Sequence, residues 1–154
     1  MNVIFLDYDG VVNNIIWNAD GTRADYSHPH RGYVNNREAV LWLSEFCQKY
    51  DYKIVVTSTW RLHPNYRECL IAGGLREGIT ILGCTGRRED GRGSEIKEYL
   101  DKHPGIQRWL VLDDDDCSEG HPEIQDHQVL CKTNAGFNLE EFELAVQLHE
   151  KQGK

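Results

Sequence analysis

Val3-Ile4-Phe5-Leu6-Asp7-Tyr8-Asp9-Gly10 is the stretch whose reading decides the fold: four apolar residues, two aspartates one residue apart, then a glycine. A run of this length with β-branched and aromatic members suits a parallel strand covered on both faces, and it delivers Asp7 to that strand's carboxyl end. Open α/β sheets bind their ligands at that edge. Strand residues two apart return to the same side, so Asp7 and Asp9 can share one pocket. Gly10 lets the backbone turn away through conformations closed to residues with a side chain. Asp-x-Asp-Gly is also an ordinary strand exit, so the pair takes its meaning from the rest of the chain.

Four more short apolar runs follow, at Lys53 to Val56, Ile79 to Leu82, Trp109 to Leu112 and Gln128 to Leu130. Helical patterns lie between most of them. Arg37 to Tyr50 places Val40, Leu43 and Cys47 on an apolar stripe, with Asn35 or Asn36 as its cap. A short helix is expected over Asn65 to Ala72, stopped by Gly73-Gly74, and another over Glu95 to Lys102, begun near Ser94. Leu139 to Lys151 closes the chain behind an Asn138-x-x-Glu141 capping box. Alternating strands and helices predict a parallel sheet with helices on both faces.

Residues 13–36 break this rhythm with Asp20-Gly21, Pro29 and Gly32, and they read as a flap or lid over the sheet edge. Trp17, Tyr26 and Tyr33 in that segment either pack or stack on bases. The chain of 154 residues, 40% hydrophobic and 27% charged, is long enough to bury a core as a single domain spanning 1–154. It has neither an apolar run long enough for a membrane span nor a basic segment leading into an apolar signal core, so a cytoplasmic, membrane-free protein is expected. Cys47, Cys69, Cys84, Cys117 and Cys131 form an odd, scattered set that reads as reduced thiols. The net charge of −8 argues against broad, sequence-independent attraction to nucleic acid, so a phosphorylated substrate needs a local positive site.

Three further segments belong at the same edge, because every strand of a parallel sheet ends on one side. They are Thr57-Ser58-Thr59-Trp60-Arg61, Asp113-Asp114-Asp115-Asp116, and Gly91-Arg92-Gly93-Ser94 with Lys97. Two carboxylates about 4 Å apart repel by about 4 kcal/mol at an effective dielectric of about 20, so a cation belongs among them. Hard oxygen ligands suit magnesium. Thr57, or Ser58 if the strand ends a residue later, offers a hydroxyl to a phosphate oxygen, and Arg92 or Lys97 offers a cationic clamp. A second metal reading takes Cys117, His121, His127 and Cys131 as zinc ligands, the alternative being chance spacing in a histidine-containing loop.

Asp7-x-Asp9-Gly10-Val11, Thr57, Arg92 or Lys97, and Asp113-Asp114, in that order, resemble the four motifs of the haloacid dehalogenase-like (HAD) phosphatase superfamily. More narrowly, Thr57 to Arg61, Arg92-Gly93-Ser94-Glu95-Ile96 and Leu112 to Asp115 are similar to the HAD domain of Swiss Army Knife RNA repair proteins. The resemblance implies a three-layer Rossmann-like fold with a five-stranded parallel sheet in the order 5-4-1-2-3. It also implies magnesium dependence and phosphomonoester hydrolysis through an aspartyl-phosphate. Asp7 would be the nucleophile and Asp9 the acid/base. Thr57 would orient the phosphoryl group, Arg92 or Lys97 would stabilise its charge, and Asp113 and Asp114 would hold the metal with Asp7 and the backbone carbonyl of Asp9. The chain departs from relatives that have a lysine in the third motif and a large cap domain. The implied substrate is a phosphorylated small molecule or a nucleic-acid end. The alternative is a non-catalytic regulatory module that binds metal or phosphate, which would not need an acid/base at Asp9.

Overall fold

The computed structural model describes residues 1–15, 33–62 and 64–153. Along the chain these form β1 (Asn2–Leu6), β2 (Asn13–Ile15), β3 (Tyr33–Asn35), α1 (Arg37–Tyr50), β4 (Tyr52–Val56), α2 (Tyr66–Ala72), β5 (Ile81–Cys84), α3 (Arg92–Lys102), β6 (Arg108–Asp113), β7 (Gln128–Leu130) and α4 (Leu139–Gln152). Short 3-10 helices lie at Thr59–Leu62 and Pro122–His127. Five strands form an all-parallel sheet in the order β5-β4-β1-β6-β7, and β2 pairs antiparallel with β3 in a separate ribbon.

The opening apolar run becomes the central strand because it has a hydrophobic layer to meet on each side. Ile4 and Leu6 point into a cluster with Val40, Leu43 and Phe46 of α1, Leu70 of α2 and Ala145 of α4. Val3 and Phe5 point the other way, towards Ile96 of α3, Val111 and Ile124. The edge-on contact of Phe5 with Tyr99, 5.6 Å between ring centroids, fills that second layer. All four residues of the run are fully buried, and each contributes roughly 1.5–3 kcal/mol of transfer free energy.

Register then sets the site. Leu6 pairs with Val56 on one side and Leu112 on the other, so Asp7, Thr57 and Asp113 emerge together at one edge. The Thr57 N–H still donates to the Leu6 carbonyl at 2.9 Å, and the Asp7 N–H to that of Leu112 at 3.0 Å.

Several boundaries differ from the sequence reading. β5 starts two residues after the apolar run begins, because pairing with β4 starts at Ile81 and shifts register between Ile54 and Val55. α3 starts at Arg92 rather than near Ser94, with Gly91 at φ 102° turning the chain into it. Asn36, not Asn35, caps α1 by accepting from the Ala39 N–H at 3.0 Å, and its own amide donates to Asn14 Oδ1 at 2.6 Å. Asn138 caps α4 through the Glu140 N–H rather than that of Glu141. The expected flap over 13–36 begins and ends in the β2–β3 ribbon, whose three-residue strands are too short to show alternation in sequence. Residues 16–32, with Trp17 and Tyr26, lie outside the described residues. Among the described residues, all five cysteines are free and no helix is long and apolar enough to cross a membrane.

Candidate active site

Three carboxylates converge where β1 and β6 end. Asp7, Asp113 and Asp114 each place an oxygen within 4.8 Å of the others, with Asp113 fully buried and Asp7 nearly so. Arg92, the first residue of α3, reaches in with Nη1 donating to Asp113 Oδ2 at 2.6 Å and lying 3.4 Å from Asp7 Oδ2. Asp113 is further oriented by the Asp115 N–H, which donates to its Oδ1 at 3.0 Å, and Asp114 by the Thr133 hydroxyl at 3.0 Å. Gly10 admits Asp114 to the group. At φ 85°, Gly10 occupies a left-handed conformation, and a Cβ there would meet the Asp114 carboxylate and lie 2.7 Å from Asp114 Cβ.

Three carboxylates against one guanidinium leave an excess of negative charge, and the titration behaviour reflects it. Burial pushes the Asp7 carboxyl well above the ordinary range, and Asp113 reinforces the shift while Arg92 opposes it. Burial also raises Asp114, with Asp113 adding to it and the Thr133 hydrogen bond working against it. Burial disfavours the charged Arg92 side chain, but Asp113 and Asp7 outweigh burial and hold it firmly protonated. An all-oxygen, acid-rich donor set of this kind fits a hard divalent cation such as magnesium.

The other expected residues fall into place unequally. Thr57 is fully buried beside the cluster, and its Oγ1 has no hydrogen-bond partner among the described residues. Thr85, just past β5, shares that condition. Ser58 is buried as well, and its carbonyl accepts from Arg61 Nη1 at 3.0 Å. Asp9 stands two residues along from Asp7, and its Oδ1 accepts from Asn13 Nδ2 at 3.4 Å. Its carboxylate is not one of the three gathered oxygens. Of the two cationic candidates, only Arg92 joins the cluster. Lys97 is more than a helical turn further on, partly exposed, with Nζ 3.5 Å from Glu123 Oε1.

The proposed zinc ligands do not assemble. Among the described residues the aspartate trio is the only His, Cys, Asp or Glu group close enough to hold a metal ion. His121 bonds with the Ser94 hydroxyl at 3.0 Å, and His127 stacks on Trp109 with 3.7 Å between centroids. Cys117 Sγ lies 3.5 Å from Asp113 Oδ2, and Cys131 is buried near the Val129 carbonyl. The Cys-x3-His and His-x3-Cys spacing did not translate into convergence because each side chain found a separate packing or hydrogen-bonding partner.

The structure adds a component that the sequence reading quoted but gave no role. Arg61 Nη2 donates to Glu95 Oε1 at 2.9 Å, both side chains being 6% exposed, while Arg61 Nη1 donates to the Thr57 carbonyl. The pair ties the loop carrying Thr57 to the first turn of α3, which carries Arg92. Its sequence signal was an acidic residue at an inward position, three residues after Arg92 on one helical face. A cleft of about 700 Å³ opens beside the cluster, with Arg61, Arg88, Arg92 and Glu95 among its lining residues.

Neither the curated proteins nor the solved structures yield a match to this chain. A family model described as the HAD domain in Swiss Army Knife RNA repair proteins matches residues 3–142, the span that holds every component of the site. The chain therefore belongs to that family of HAD domains.

Proposed function

We propose that the chain is a magnesium-dependent phosphomonoesterase that works through an aspartyl-phosphate on Asp7 and acts on nucleic-acid ends or nucleotides. The observation that carries the reading is the convergence of Asp7, Asp113 and Asp114 with Arg92 at the carboxyl edge of the sheet. Membership of a HAD family supports a phosphoesterase at the level of the superfamily.

Asp7 Oδ attacks phosphorus in line with the leaving oxygen, forming an acyl-phosphate as the ester P–O bond breaks. Asp9 gives its proton to the leaving oxygen, then takes one from the water that attacks phosphorus and frees Asp7. The Thr57 hydroxyl donates to a phosphoryl oxygen, the partner its buried Oγ1 lacks among the described residues. Arg92 neutralises charge on the other oxygens from its place between Asp7 and Asp113. Asp7, Asp113 and Asp114 would hold the magnesium, which supplies Lewis-acid charge neutralisation where carboxylate and phosphate meet. Arg61 and Glu95 touch no reacting atom; they fix the backbone of Thr57 relative to Arg92.

The test is phosphate release from end-phosphorylated oligonucleotides, mononucleotides and sugar phosphates, with and without magnesium. Release is expected to stop on chelation and in Asp7→Asn; release by Asp7→Asn at the native rate would exclude Asp7 as nucleophile.

A further inference from the structure

We propose that the cleft beside the carboxylate cluster is a subsite for a second phosphate of the substrate, held by Arg87. On this basis the chain prefers phosphomonoesters that carry another phosphate near the reacting one. The inference deepens the phosphomonoesterase reading above and rests on it for the position of the reacting phosphate.

The cleft, about 700 Å³, has the capacity of a site for a small organic molecule, well beyond what one phosphoryl group fills. Its walls differ in charge because of the sheet order. Arg61, Arg87 and Arg88, with Asp90 as the acid among them, follow β4 and β5 on one side of β1, whereas Asp115, Asp116 and Glu119 follow β6 on the other. Arg92 lies between the cleft and the reaction centre, lining the first and touching the carboxylates of the second.

Three of these arginines are already committed. Arg61 holds Glu95, Arg88 holds Asp90 and Glu98 at 2.9 Å each, and Arg92 holds Asp113 and Asp7. Arg87 is exposed and has no carboxylate partner among the described residues. In a chain of net charge −8, an uncompensated guanidinium on the rim of such a cleft is where an anion is attracted rather than repelled. The peptide that carries it is anchored, because the next N–H, that of Arg88, donates to the buried Glu95 Oε1 at 3.2 Å. Anchoring lowers the ordering cost of binding, and an arginine fork matches phosphate oxygens in pairs. The acidic wall turns an anion away and accepts hydrogen bonds from hydroxyl or amino groups, so it orients the substrate with its phosphate towards Arg87. A free bisphosphate and the next internucleotide phosphate of an oligonucleotide offer the same contact.

The experiment is calorimetric titration of the Asp7→Asn protein with magnesium present, which separates binding from turnover. Three ligands are compared: a nucleoside 5′-monophosphate, its 3′,5′-bisphosphate, and a 5′-phosphorylated dinucleotide. The second phosphate is expected to tighten binding by about tenfold, the scale of one charge-assisted arginine contact. Arg87→Ala removes that preference, Arg87→Lys keeps part of it, and Lys49→Ala on α1 leaves it intact. Preference for the bisphosphate alone identifies a free small molecule; preference extended to the dinucleotide identifies a polynucleotide end. Equal affinity for all three ligands, or a preference that survives Arg87→Ala, overturns the subsite. If the binding preference holds while the native protein releases no phosphate from any of them, the subsite stands and the phosphomonoesterase reading falls.

Discussion

Replacing Thr57 with valine separates stability from function at a single atom. The side chain is fully buried and its Oγ1 has no partner among the described residues, so the folded chain bears the desolvation of a hydroxyl without a compensating bond. An unsatisfied buried polar group costs about 1–3 kcal/mol, and valine keeps the β-branched shape while removing it. The substrate-free protein with Thr57→Val is therefore expected to gain about 1–2 kcal/mol, the lower part of that range because packing around a methyl is imperfect. For a chain of this length each kcal/mol moves Tm by about 2–4 °C, so thermal unfolding followed by circular dichroism should show a rise of several degrees. The same change deletes a donor to the charged phosphoryl oxygens, worth about 1.5–3 kcal/mol, so kcat/KM for phosphate release should fall by about 10- to 150-fold. A variant that is less stable than the native protein would refute the reasoning, since it would mean that the hydroxyl is satisfied within the fold. A stabilised variant with undiminished turnover would remove Thr57 from the reaction.

Gly10→Ala should act in the opposite sense on stability. The left-handed φ of 85° costs a residue with a side chain about 1–2 kcal/mol, and the new Cβ would displace the Asp114 carboxylate. Lowered Tm together with weakened magnesium binding by titration is the expected result, and unchanged metal affinity would show that Asp114 is not held by this approach. A third expectation concerns alkaline pH. Burial pushes the Cys47 thiol from 9.0 up to about 12, so it stays protonated in the folded chain while the unfolded chain begins to ionise near its ordinary value. That contribution to stability is complete below about pH 9 and is lost as the pH rises towards 12. Cys47→Ala should lower the alkaline slope of unfolding free energy by about 1.4 kcal/mol per pH unit, one proton's worth, and parallel curves for the two proteins would contradict it.

Much of this architecture was present in local sequence. Five apolar runs separated by amphipathic segments specify a parallel sheet because strand burial and helix periodicity are short-range properties, visible within a window of residues. The short helix expected over Asn65 to Ala72 was met by α2, since a glycine stop is equally local. The edge at which Asp7, Thr57 and Asp113 would emerge also followed, because parallel strands share one direction.

What only the tertiary structure decided was which side chains meet there. Arg92 rather than Lys97 enters the carboxylates because α3 begins at Arg92, three residues before the expected Glu95, placing Arg92 in the first turn and Lys97 out towards Glu123. The buried pairing of Arg61 with Glu95 joins segments that lie 34 residues apart, and the position of Glu95 on its helix signals an inward acid without identifying its partner. The histidines and cysteines beyond β6 had metal-like spacing in sequence yet dispersed to separate partners. Hydrophobic periodicity determines which elements form, but long-range contacts depend on register and on where a helix starts, and a shift of one or two residues turns a side chain to another face.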